Sequence, residues 1–143
     1  MRFMIIRKAD KETEAGALPS QEVIAAMMKY NEEMIKAGVM LEGMGLRASS
    51  MGARVKFSDG KPTVTDGPFT EAKELIAGFS LIQVNSKEEA IEWVKRWPVV
   101  DAGGQIELEV RQVFEAEDFA SALTPELRKQ EERLRAQASK QRK

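Results

Sequence analysis

"TVTDGPFTEAKELIAGF", residues 63–79, holds the end of one apolar-polar alternation, a turn, a cluster of charges and the start of another apolar run. Upstream, "ARVKFSDGKPTVT" alternates through Val55, Phe57 and Val64 around Asp59-Gly60, a strong hairpin signal that leaves open a tight Asp-Gly loop or one extending through Lys61-Pro62. Downstream, "LIAGFSLIQV" reads as a long strand from about Ile76 to Val84. The stretch therefore marks where an inserted hairpin ends and a second structural half begins.

The outer elements follow from the same periodicities. "RFMIIR", residues 2–7, reads as a buried central strand, and "KADKETEAGALPS" as a polar loop. Ser20 caps a helix whose apolar positions Ile24, Met27, Met28, Met34 and Ile35 recur at helical spacing until Gly38. "VMLEGMGL", residues 39–46, is strand-like and loosened by Gly43 and Gly45. "SKEEAIEWVKRW", residues 86–97, opens with the capping-box pair Ser86 and Glu89 and is ended by Pro98. "QIELEVRQVF" alternates strictly, with Ile106, Leu108 and Val110 on one face. The order is β-α-β, a hairpin, then β-α-β: an α+β, ferredoxin-like arrangement with both helices on one face of an antiparallel sheet. Its bare face calls for a second subunit, a homodimer with a cavity between sheet and neighbour. After Phe119, "TPELRKQEERLRAQASKQRK" reads as a mostly charged helix with Thr124 as cap and Pro125 at its first position. Residues 1–119 are thus one α+β domain and 120–143 a charged C-terminal tail belonging to the same unit.

Composition limits the chemistry. The 143 residues are 43% apolar and 31% charged with a net charge of -1, so no global basic field attracts nucleic acid or an anionic membrane. The chain has no Cys and no His. Disulfides, thiol nucleophiles, Cys/His zinc sites and Ser-His-Asp triads are excluded, and proton transfer falls to Asp, Glu, Lys, Tyr or water. No metal or cofactor is expected. No apolar window reaches the length of a membrane span, and the N-terminus lacks a signal-peptide pattern; the chain reads as cytoplasmic.

The charges at 66–74 admit two readings. Asp66-Gly67-Pro68 is a turn by its own chemistry, with Pro68 second, Phe69 third, and Asp66 able to bond nearby amides. Glu71 and Glu74 share a helical face with Lys73 beside it, and two near carboxylates can divide acid and base roles; they can equally be solvated charges. Trp93 and Trp97 are core residues or an aromatic wall. Tyr30, the sole phenol, is a structural hydroxyl or a proton donor. "ASSMGAR" offers serines but no base partner, and "DAGGQ", residues 101–105, reads as a turn.

"TDGPFTEAKELIAGF" resembles the signature of DGPF-domain proteins, a branch of the YCII-related superfamily. "RFMIIRK", "LPSQEVIAAMMKYNEEMIKAGVML", "EEAIEWVKRWP" and "IELEVRQVFEAEDF" extend the likeness over roughly residues 1–135. The resemblance implies a dimeric α+β barrel. Some relatives are associated with extracytoplasmic-function sigma factors, and the superfamily includes a dehydrochlorinase-type enzyme. Many members carry a proposed His/Asp active pair, which a chain without His cannot use. In "GMGLRASS", residues 43–50, Met44, Arg47 and Ala48 stand where an acid, a His and a Pro are expected, and Trp97 replaces a smaller residue. These departures admit an enlarged apolar pocket, drift, or engineering of the scaffold.

The resulting expectation is a small-molecule site in which Asp66 or Glu71 acts as base in a lyase- or isomerase-like proton abstraction. Tyr30, Met44, Arg47, Phe69, Lys73, Glu74 and Trp97 would contact a flat or anionic organic ligand, Arg47 steadying the anion, with Gly67 and Pro68 building the turn. The alternative is a non-catalytic ligand-binding or regulatory module. Neither membrane nor nucleic acid is an expected partner.

Overall fold

Ser20, whose hydroxyl accepts from Val23 N at 3.2 Å, starts the helix Gln21–Lys36, and Gly38 follows its end in the left-handed region. A computed structural model describes residues 1–142 and, of Lys73, the backbone alone. The chain divides into two units, Met1–Val113 and Phe114–Lys143.

The first unit contains β1 (Arg2–Lys8), α1 (Lys11–Glu14), α2 (Gln21–Lys36), β2 (Met40–Gly45), β3 (Ala53–Ser58), β4 (Lys61–Asp66), β5 (Ile76–Gln83), α3 (Lys87–Val94) and β6 (Leu108–Gln112). Four strands form an antiparallel sheet in the order β2-β5-β1-β6, and β3 pairs with β4 apart from it. Each βαβ half is split: β5 lies between β1 and β2, and β1 lies between β5 and β6. This is the ferredoxin-like order expected from the element sequence.

Alternation along β1 sorts the sheet faces. Phe3 and Ile5 pair across with Ile82 and Ser80, all buried beneath the helices with Tyr30, Met34, Val39, Val84 and Ala90. Burying such side chains fully contributes about 1.5–3 kcal/mol each, so this face carries most of the fold's stability. Met4 and Ile6 point the other way, beside Leu81 and Phe79, and Met44 of β2 joins them opposite Phe79. That second face is apolar at its centre.

Local details depart from the sequence reading. The loop after β1 contains α1, capped reciprocally by Asp10 and Thr13. Of the two hairpin loops the sequence leaves open, the tight one forms: Asp59 (φ 51°) and Gly60 (φ 76°) make the turn, and Lys61 and Pro62 already belong to β4. Glu89 of α3 completes its cap on Asn85 N rather than Ser86 N. The helix stops at Val94, before Trp97, and β6 starts after Ile106.

In the second unit, Phe114 and Phe119 pack at 4.8 Å between ring centroids. Thr124 then caps α4 (Pro125–Gln141), which has Pro125 in its first turn and no buried residue. Among the described residues no helix is long and apolar enough to cross a membrane.

Candidate functional site

The charged stretch folds into a corner at one end of the sheet, where β2 leaves and β5 enters. Leu46 N donates to Ala77 O at 2.8 Å and Ala9 N to Leu75 O at 2.9 Å, tying both crossings to the sheet. The turn after β4 rests on the segment 49–52: Gly67 N donates to Gly52 O at 3.0 Å and Phe69 N to Ser49 Oγ at 3.0 Å. Ser49 is fixed in turn by Glu14 of α1, whose carboxylate accepts from Ser49 N at 2.9 Å and from Ser49 Oγ at 2.5 Å. The Gly67-Pro68 peptide is cis, and the Arg54 guanidinium stacks 3.9 Å from the centroid of the half-buried Phe69 ring. The serine for which the sequence suggested no base partner thus has a carboxylate. Its single proton goes to Glu14 while its oxygen receives Phe69 N–H, which makes it a clamp.

Asp66 ends β4 opposite Ala53, and among the described residues its carboxylate bonds none of the amides that its turn position suggests. Glu71 precedes the 3-10 turn Ala72–Glu74, giving its carbonyl to Glu74 N at 3.0 Å. Among the described residues, the exposed side chains of Asp66, Glu71 and Glu74 make no hydrogen bond or ion pair. The Lys73 side chain, expected at the ligand, lies outside the described residues. Arg47 is exposed just past β2, and Met44 is 54% exposed on the second sheet face. Residues 66–74 thus run from the end of β4 into the segment before β5, and Arg47 lies in the segment leaving β2, both tied to the same sheet end, with Met44 inward on β2.

Tyr30 and Trp97 are placed elsewhere, in the layer between helices and sheet. The Tyr30 hydroxyl donates to Trp93 O at 2.6 Å, and its ring meets Trp97 edge-on at 5.6 Å. Burial pushes the Tyr30 phenol up from 10.0 to about 12; Arg96 opposes and Glu33 reinforces the shift. Because the folded value exceeds the ordinary one, stability is complete below pH 10.0 and is lost as pH rises toward about 12. Tyr30→Phe is expected to cost about 1 kcal/mol at neutral pH and to remove that alkaline loss, read by urea unfolding across the range.

Trp97 leads to a cluster absent from the sequence reading. Its indole N–H donates to Asp101 Oδ2 at 2.9 Å, and Arg7 grips the same carboxylate with Nε at 3.0 Å and Nη2 at 2.7 Å. Arg7 also reaches Lys8 O at 3.0 Å and Asp10 Oδ2 at 3.4 Å. Burial would raise the Asp101 carboxyl, but Arg7 and Trp97 together hold it below its ordinary value. Asp10, also desolvated, is lowered by Thr13 and Arg7. One signal was available: Arg7 shares its strand face with Phe3 and Ile5, so a buried charge there required a partner. No group of three or more His, Cys, Asp or Glu residues among those described is placed to hold a metal ion.

Comparison with known proteins places the chain. An uncharacterised protein of Rhizobium meliloti is 29% identical over 75 residues, 52% of this chain; the match spans 60% of that relative's length. A solved 5-chloro-2-hydroxyhydroquinone dehydrochlorinase from Burkholderia phenoliruptrix, in complex with 2,5-dihydroxybenzoquinone, is similar at 18% identity and a TM-score of 0.46. The likeness covers 82% of this chain and 98% of that one. Residues 1–119 match the YCII-related domain, and with most of its length so matched the chain belongs to the YCII-related family.

Proposed function

We propose that the protein is a cytoplasmic homodimer that binds a small organic acid at the corner beside the second sheet face. One observation carries this reading: Ser49, Gly52 and Glu14 hold the turn, and Asp66, Glu71 and Glu74 stay exposed with no hydrogen bond or ion pair among the described residues. Arg47 supplies a cation at the same sheet end, and Met4, Ile6, Met44, Phe79 and Leu81 supply an apolar floor. A second subunit laid on that floor would dry the site and strengthen its charge interactions. In such a site Asp66 or Glu71 acts as base for a lyase- or isomerase-like proton abstraction, and Arg47 stabilises the anion formed. Exposure of all three carboxylates in one chain favours, as the second reading, a binding or regulatory module without turnover.

Titrating small aromatic and aliphatic carboxylic acids while recording amide NMR shifts tests the site. Perturbations are expected to concentrate at Met44, Arg47 and residues 66–74, with Arg47→Met weakening binding about tenfold or more, the scale of a lost charged hydrogen bond. Asp66→Asn and Glu71→Gln separate the readings: an enzyme loses roughly 10²-fold or more in rate, and a module only changes affinity. Shifts scattered away from the corner, or none with any acid, would remove it as the site.

A further inference from the structure

The β3–β4 hairpin has two unlike sides. Val55 pairs with Val64 and Phe57 with Pro62, so these four share one side with Ala53 and Asp66. Arg54, Lys56, Thr63 and Thr65 occupy the other. This alternation is the pattern of a strand pair buried on one side, yet Val55, Phe57 and Val64 are 55%, 68% and 65% exposed. Both strands make their principal contacts with each other, and a two-stranded hairpin is marginally stable alone.

We propose that the apolar side of this hairpin is an arm that docks on a second copy of the chain; this rests on the homodimer reading above. The area required supports that occupant. Four strands about 4.8 Å apart and about 23 Å long give a sheet face of roughly 440 Å² in footprint. That is well short of the ~800 Å² per partner of an ordinary stable interface. The hairpin side adds roughly 200 Å², mostly apolar, which brings the total to about 640 Å² and into the ~600–1,000 Å² per partner spanned by such interfaces. Charge argues against other surfaces: the apolar side carries no Lys or Arg, only Asp66 at its base, and so lacks the cations that phosphate groups require.

The test is sedimentation velocity of the full chain and of Phe57→Ser/Val64→Ser across a concentration series. Amide hydrogen exchange of residues 53–66 is followed on the wild type above and below its dissociation constant, alone and with phosphatidylglycerol vesicles or a short DNA duplex. The substituted side chains are exposed, so the variant's thermal melt should match the wild type at low concentration. The arm is supported if the variant's dimer dissociation constant rises at least tenfold and hairpin amides exchange more slowly in the wild-type dimer. A wild-type dimer whose affinity and hairpin exchange are indifferent to both changes overturns the arm and leaves the dimer standing. A wild-type chain monomeric at every concentration overturns both. Hairpin protection that appears only with vesicles or DNA replaces the second copy by that surface.

Discussion

Asp101→Ala is expected to destabilise the first unit by about 3–5 kcal/mol, because it leaves a buried guanidinium without its counter-charge. Arg7 and Asp101 are 13% and 11% exposed at their side chains, too little for water to replace the bidentate contact. Trp97 Nε1 loses its acceptor in the same step. The longer contact from Arg7 to Asp10 survives but is a poor substitute at 3.4 Å. Asp101→Asn keeps the shape yet turns an amide donor toward Arg7, so it should be nearly as costly. Arg7→Met/Asp101→Leu removes both charges and should recover much of the loss. The pH dependence has a definite sign. The folded Asp101 and Asp10 carboxyls titrate below the ordinary 3.8, so their contribution is complete above that value and lost as pH falls through the lower folded values. Urea unfolding from neutral pH into the acid range should show a shallower acid loss in Asp101→Asn than in the wild type. A penalty for Asp101→Ala below about 1 kcal/mol, the scale of surface pairs, would mean that solvent already screens the pair.

Elements governed by local chemistry are legible in the sequence. The β1 run, the Ser20 cap with its helical stripe and the Asp59-Gly60 turn each follow from neighbours in sequence, and together they set the ferredoxin-like order. What escaped depends on residues far apart. Arg7 and Asp101 are separated by 94 positions, and Asp101 precedes a loop that runs left-handed through Ala102 (φ 51°), Gly103 and Gly104. Glu14 and Ser49 are 35 apart, and Glu14 sits on a helix of four residues, too short to show a period. Trp97 was misleading for a physical reason: it continues the spacing of Ala90, Ile91 and Val94, but the helix has already ended and a hydrogen bond to Asp101 holds the indole. At the corner, the sequence showed that Asp66, Glu71 and Glu74 crowd a Gly-Pro pair. Only the fold shows that the crowd is not needed to build it.

Gly67→Ala is expected to break that corner, at about 3 kcal/mol, the upper end of ordinary overpacking. A Cβ at position 67 would stand 1.8 Å from Ser49 O and 2.6 Å from Ser49 C, and both are backbone atoms with no rotamer to escape into. The turn must lift from segment 49–52, and Gly67 N and Phe69 N then lose Gly52 O and Ser49 Oγ together. Gly45→Ala is the control, because a Cβ there meets nothing within 4 Å. It should change stability by no more than about 0.5 kcal/mol, as surface substitutions do. A lifted turn also shifts residues 66–74, so the proposed small-acid binding should fall with stability in Gly67→Ala and persist in Gly45→Ala. Equal unfolding midpoints for the two variants would show that the turn does not rest on Ser49. The carboxylates would then have no fixed position from which to act on a ligand.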